Sequence, residues 1–154
     1  MIRFKQLETF DIKAIIAMMD DFYAIDNYPF DATTAIALFD EFLTNDNLGK
    51  AWLILDNDVI VGYIILTFVF SFECKGKMAF IDELYIIEES RGKGIGKAAI
   101  QFIQQQTSRL SLKLLYLEVE KGNEKAQKLY LSQDFEYHNR KIMKYTTQKN
   151  LNLN

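Results

Sequence analysis

Residues 91–96 read Arg-Gly-Lys-Gly-Ile-Gly and join two segments of different periodicity. Before them, Phe80-Ile-Asp-Glu-Leu-Tyr-Ile-Ile87 reads as an acidic, β-branched strand; after them, Ile95, Ala98, Ala99, Phe102 and Ile103 fall on one face of a helix. A strand that runs through a glycine-rich turn into a helix leaves unpaired amides converging at the positive end of the helix dipole. Glycine suits such a turn because it reaches positive φ without strain and has no Cβ to hold a ligand away. The junction therefore reads as an anion cradle of the kind that holds phosphate.

Two familiar phosphate loops do not fit. The nucleotide-triphosphate loop needs Gly five residues before its Gly-Lys pair and a hydroxyl after it, but Arg91 and Ala98 occupy those places. The dinucleotide fingerprint needs Gly-x-Gly-x-x-Gly, whereas Gly92, Gly94 and Gly96 are evenly spaced. What does fit is Arg/Gln-x-x-Gly-x-Gly/Ala, carried by Arg91, Gly94 and Gly96, and here the chain resembles the GNAT superfamily of N-acetyltransferases. Upstream, Asp82-Glu-Leu-Tyr-Ile86 is similar to that family's fourth strand. Downstream, Leu117-Glu-Val119, Asn123, Ala126, Leu129-Tyr130 and Phe135 resemble its fifth strand and following helix. The likeness covers roughly residues 50–145. One departure is Asp134, where the family usually has Gly; Asp tolerates the left-handed conformation a helix end often requires.

The resemblance implies a mixed α/β fold with a twisted mixed sheet of about six to seven strands and about four helices, and acetyl-CoA as cosubstrate without a metal. It implies that the fourth and fifth strands splay to admit the pantetheine arm, so the main chain of Leu84, Tyr85 and Ile86 would pair with it. Arg91, Gly92, Lys93, Gly94, Ile95, Gly96 and Lys97 would hold the pyrophosphate, with Asn123 and Ala126 on the following helix also at the cofactor. It further implies an amine acceptor and, because relatives often dimerise, a homodimer.

The residues themselves lead to the same architecture. Residues 1–7 alternate as a first strand; Ile12, Ile15, Ile16, Met19, Phe22 and Tyr23 mark a helix ending before Asn27-Tyr28-Pro29, and Ile36, Phe39 and Leu43 a second. Residues 51–55 and 59–70 flank Asp56-Asn57-Asp58 as a hairpin, and a turn around Gly76 leads into the acidic strand. Residues 112–120 read as a strand, 123–132 as a short helix, and 135–145 as two final strands or one bent hairpin. A single domain over residues 1–147 with a polar tail at 148–154 suits a chain of 154 residues, 49% of them hydrophobic. The apolar run at 59–72 is broken by Gly62, Thr67 and Ser71, so it reads as strand and not as a membrane span. The opening residues lack a signal peptide's apolar stretch and the chain has one Cys, which together point to the cytoplasm.

Charge is divided at the loop: residues 1–90 carry 16 Asp and Glu against 6 Lys and Arg, and residues 91–154 carry 5 against 12. A basic half suits a polyphosphate cofactor and an acidic half a cationic amine, although solvated acids on helix surfaces would leave the same count. An amine with pKa near 10.4 is free base in only about one molecule in a few thousand at neutral pH, so some group must take its proton. Three carboxylates compete: Asp82 and Glu83, adjacent on one strand and so facing opposite ways unless a bulge intervenes, and Glu118, twelve residues before Tyr130. Polyamine acetyltransferases carry an acid at the position of Asp82, and the spacing of Glu118 to Tyr130 matches the ribosomal-protein N-terminal acetyltransferases. Tyr130 is either the acid that protonates the departing thiolate, its role in many relatives, or a packing ring beside Leu129.

The acceptor region is expected in the N-terminal helices and residues 23–31, where Tyr23, Tyr28 and Phe30 alternate with acids. Cys74 has no His nearby, His138 stands alone, and Lys113, Lys121, Lys125 and Lys128 lack the aromatic interleaving of a nucleic-acid surface, so metal, nucleophilic-cysteine and nucleic-acid roles are not expected. The reading is an N-acetyltransferase whose amine attacks the thioester directly in a ternary complex; the acceptor is a small cationic amine or a peptide amine. A non-catalytic acyl-CoA-binding or regulatory module stands as the alternative.

Overall fold

Within the apolar run at residues 59–72, residues 61–66 become the middle of a sheet covered on both faces, which is why they carry no polar alternation, whereas Phe70 and Phe72 face outward. The computed structural model describes residues 1–147; the tail expected at 148–154 lies outside the described residues. The sheet has the order β1-β2-β3-β4-β5, with β1 at Ile2–Gln6, β2 at Gly49–Asp56, β3 at Val59–Ser71, β4 at Gly76–Ile86 and β5 at Leu115–Leu117. The first four strands pair antiparallel, and β4 pairs parallel with β5. Parallel pairing requires a crossover, supplied by helix α3 at Ile95–Arg109. Helices α1 (Ile12–Ile25) and α2 (Ala32–Thr44) precede β2, and α4 (Glu124–Leu131) follows β5.

Alternation along β2 and β3 sorts the core into two layers. Leu53, Tyr63 and Ile65 pack with Ile15, Met19 and Phe39 of α1 and α2, whereas Trp52, Ile64 and Leu66 pack with Ile100 and Ile103 of α3. Ile15, Ile100 and Ile103 are wholly buried, each contributing about 1.5–3 kcal/mol of apolar burial. Phe4 stacks on Phe102 at 4.2 Å between ring centres, tying the first strand to α3. The β2–β3 turn carries Asn57 and Asp58 at positive φ, the chemistry its sequence calls for.

One irregularity governs the rest. In the β3–β4 pairing Ile65 lies opposite Glu83 and Leu66 opposite Ile81, leaving Asp82 as an extra residue in β4. The bulge inverts the phase of the strand: Ala79 and Ile81 pack on the α3 side, while Tyr85, four residues beyond Ile81, packs on the α1 side.

The expected six to seven strands are five among the described residues. Residues 135–147, expected as two strands or a bent hairpin, form no regular strand, and β5 covers only Leu115–Leu117 of the expected 112–120. Ile142, Met143 and Tyr145 are 70%, 94% and 90% exposed, so no burial offsets the cost of ordering that segment into a sheet. Beyond Leu117 the chain has left β4 and has no partner in the sheet.

Gly62 lies where β3 and β4 approach closely: a Cβ there would stand 2.2 Å from the Tyr85 carbonyl oxygen. Gly62→Ala is expected to lower stability by about 1–3 kcal/mol, read from the urea midpoint. An unchanged midpoint would contradict the close approach.

Candidate active site

The turn after β4 is built to present amides. A 3₁₀ turn at Glu88–Ser90 leads into Arg91, then Gly92 and Gly94 take φ of 77° and 79°, left-handed values that favour glycine. Gly94 caps α3 with no side chain, so the first-turn amides at Ile95, Gly96 and Lys97 receive no side-chain acceptor from the cap. A Cβ at Gly92 or Gly94 would meet nothing within 4 Å, which leaves open space in front of these amides. Gly96 differs: its Cβ would reach a Leu129 methyl at 3.1 Å, so it also lets α4 pack on α3. The Arg91 Nε donates to the Ile86 carbonyl at 2.8 Å, and its guanidinium lies 5.7 Å from the centre of the Tyr85 ring. Apart from a side-chain hydrogen bond to Tyr85, its terminal N–H groups are left for another acceptor.

From this turn a cavity of about 920 Å³ runs between the parting strands. The β4–β5 register ends at Ile81 opposite Leu117, and past it residues 82–86 and 118–120 face one another across the gap. Ile87 donates its amide to Val61 of β3, so by strand alternation the main-chain groups of Leu84 and Ile86 point the other way, into the gap, while those of Tyr85 point to β3. Of the expected cofactor residues, Leu84, Tyr85, Ile86, Arg91, Gly92, Gly94, Ile95, Gly96, Lys97, Asn123 and Ala126 all line this cavity; Lys93 does not. Asn123 caps α4, its side-chain oxygen accepting from the Ala126 amide at 3.1 Å. The site thus fits a pyrophosphate at one end and an extended arm along the strands.

All four expected catalytic residues, Asp82, Glu83, Glu118 and Tyr130, line the same cavity. The bulge explains how two adjacent acids both reach it. Glu83 accepts hydrogen bonds from the Tyr23 hydroxyl at 2.6 Å and the Tyr63 hydroxyl at 2.8 Å. Burial pushes its carboxyl up, the two phenols pull it back, and Asp82 pushes it up again, for a net rise above the ordinary carboxylate range. Asp82 is open to solvent at the rim, yet the protein around it displaces enough water to raise its pKa, and Glu118 adds to the rise. Burial raises the Tyr130 phenol, keeping it protonated through neutral pH, and its ring lies 5.9 Å from Phe135.

Tyr63 went unrecognised in the sequence. The available signal was a phenol in the middle of a strand buried on both faces, since a buried hydroxyl needs a partner. His138 instead contacts Tyr116 at 3.2 Å, and neither it nor Cys74 lines the cavity. Among the described residues no group of three or more His, Cys, Asp or Glu is arranged to hold a metal ion, and no helix is long and apolar enough to cross a membrane.

Because the folded state raises the Glu83 pKa, it binds more protons than the unfolded chain through that window. Stability is therefore favoured as pH falls through the folded pKa, and above it the fold carries the cost of a desolvated charge. Glu83→Gln, whose amide oxygen and NH₂ can each partner one phenol, is expected to raise the melting temperature at neutral pH. The gain should shrink as pH falls toward the ordinary carboxylate value; an equal or lower melting temperature at neutral pH would contradict a net cost.

Comparison with known proteins bears on this arrangement. The model of the Acetyltransferase (GNAT) family matches residues 15–135. An integron cassette protein from the mobile metagenome of Cole Harbour Salt Marsh is 28% identical with a TM-score of 0.85, covering 94% of this chain and 90% of that one. A predicted acetyltransferase with acetyl-CoA from Clostridium acetobutylicum is 16% identical with a TM-score of 0.78, covering 94% and 96%. An aminoglycoside N-acetyltransferase in complex with CoA is 14% identical with a TM-score of 0.80, covering 96% of both chains. The last two likenesses are of fold. No curated protein matches the chain.

Proposed function

Since the chain belongs to the GNAT acetyltransferase family, we propose that it transfers the acetyl group of acetyl-CoA to the primary amine of a small cationic molecule by direct attack in a ternary complex. One observation carries the reading: a single cavity reaches from the glycine turn, along the parted strands, to three carboxylates and Tyr130. Solved neighbours that hold acetyl-CoA or CoA support the choice of cosubstrate.

The chain's residues divide the work along that cavity. The amides of Gly92 to Lys97, with Arg91 and Lys97, bind the pyrophosphate at the N-terminus of α3, and Lys93 adds positive charge outside the wall. Leu84 and Ile86 offer main-chain groups to the pantetheine arm, Tyr85 supports Arg91 from below, and Asn123 and Ala126 close the opposite side. The thioester supplies the electrophilic carbonyl. Glu83 and Asp82 take the proton that an ammonium must shed, directly or through water, because a raised carboxylate pKa narrows the gap to the amine. Glu118, across the gap, is the remaining candidate for that role. Tyr130 gives its phenolic proton to the departing sulfur, and because burial raises the phenol it takes a proton back from the attacking amine and does not persist as phenolate. A cytoplasmic setting suits Cys74, the only cysteine, which is free.

Thiol release from acetyl-CoA with a panel of primary amines tests this directly. Tyr130→Phe is expected to lower kcat by about 10²-fold while cofactor-dependent thermal stabilisation is retained. Unchanged kcat would remove Tyr130 as the acid. Cofactor-dependent stabilisation of the native chain with no thiol release for any amine would favour the non-catalytic acyl-CoA-binding module.

A further inference from the structure

A second chamber, of about 370 Å³, lies between α1, α2 and the β3–β4 pair, and it adjoins the cofactor cavity at Asp82 and Glu83, which line both. Its volume is at the small end of the roughly 300–1,000 Å³ common for small-molecule sites. Resting on the acetyltransferase reading, we propose that the acceptor is a primary amine borne on an apolar body with a single charge, an arylalkyl or alkyl amine, and that this chamber selects it against polycations and sugars.

Two of the three acids in the chamber wall stand at one end. Glu83 and Asp82 stand where it opens to the cofactor cavity. Both Glu83 oxygens accept a phenolic proton, and each keeps lone-pair capacity for an ammonium. The third acid in the wall, Asp31, caps α2 through one oxygen, accepting there from the Thr34 amide at 2.9 Å and from the Thr34 hydroxyl. Beyond the three acids and the hydroxyls of Thr34 and Thr67 the wall is hydrocarbon and aromatic, so most of the polar surface of a polyamine or an aminoglycoside would lose water for few partners.

The remaining walls suit an apolar body. Tyr23 meets Phe30 edge to face at 5.5 Å, and Leu38, Phe39 and Ile65 extend this apolar surface. Leu38 is 60% exposed, a large apolar side chain left facing water at the chamber. An acceptor covering it would bury that surface, and the Tyr23 and Phe30 rings would meet the ammonium on its way to the acids. In the transfer the amine nitrogen bonds to the acetyl carbon as the carbon–sulfur bond breaks. One ammonium proton ends on the CoA sulfur, by way of Tyr130, and the other passes through the carboxylates to solvent, giving the N-acetyl amine and free thiol.

The test measures thiol release by the full chain with 2-phenylethylamine, hexylamine, spermidine and kanamycin at fixed acetyl-CoA. The expected kcat/KM for 2-phenylethylamine exceeds those for spermidine and kanamycin by about tenfold or more. Leu38→Glu, at an exposed position, should shift the ratio toward spermidine by about tenfold while acetyl-CoA affinity stays as in the native chain. Phe30→Ala should raise KM for 2-phenylethylamine and leave that for spermidine nearly unmoved. Turnover with spermidine or kanamycin equal to or faster than with 2-phenylethylamine, or a ratio untouched by Leu38→Glu, overturns the selectivity and leaves the acetyltransferase reading standing. Absence of thiol release with all four amines and with a wider panel overturns both.

Discussion

The site depends on one extra residue in a strand. Asp82 has no partner in the β3–β4 pairing, and immediately before it, at Ile81, the pairing of β4 with β5 ends. A regular β4 would keep residues 79, 81, 83 and 85 on one face, and Glu83 would enter the α3 core with an unpaired charge. The bulge turns Glu83 toward Tyr23 and Tyr63, leaves Asp82 at the rim, and accompanies the separation that frees the edges of Leu84 and Ile86. Slipped register, glycine turn and crossover helix together bound one continuous cleft.

The cleft carries charge of both signs. Arg91, Lys97 and Lys125 line it beside the N-termini of α3 and α4, together with Asp26, Asp82, Glu83, Glu118 and Glu120. The cost falls on Glu83, whose ionised form is disfavoured by burial and by Asp82. A carboxylate held in that state is a better proton acceptor for an amine than one in bulk water.

Much of this was legible because it rests on local chemistry. The glycine turn, the Asn123 cap, the Asn57-Asp58 hairpin and the left-handed Asp134, at φ 63°, are each fixed by what one residue can or cannot adopt. Register was not legible: Ile81-Asp82-Glu83 reads as an uninterrupted strand, and only the opposing side chains of β3 show that it slips. The orientation of the two acids was therefore left open. Tyr63 was hidden for a related reason, since within an apolar run a tyrosine looks like core until its hydroxyl finds Glu83. Strand number was overestimated because residues 135–145 have strand-like composition without the burial that would make a strand stable.

The account rests on main-chain amides of residues 92–97 and the parted β4 and β5 taking up coenzyme A. Isothermal titration of coenzyme A into the native chain and into Gly94→Asp tests that most directly. A saturable 1:1 isotherm for the native chain, weakened about tenfold or more in the variant by a strained φ and a like charge against phosphate, is the predicted result. No heat with the native chain, or the same isotherm for both, would contradict it.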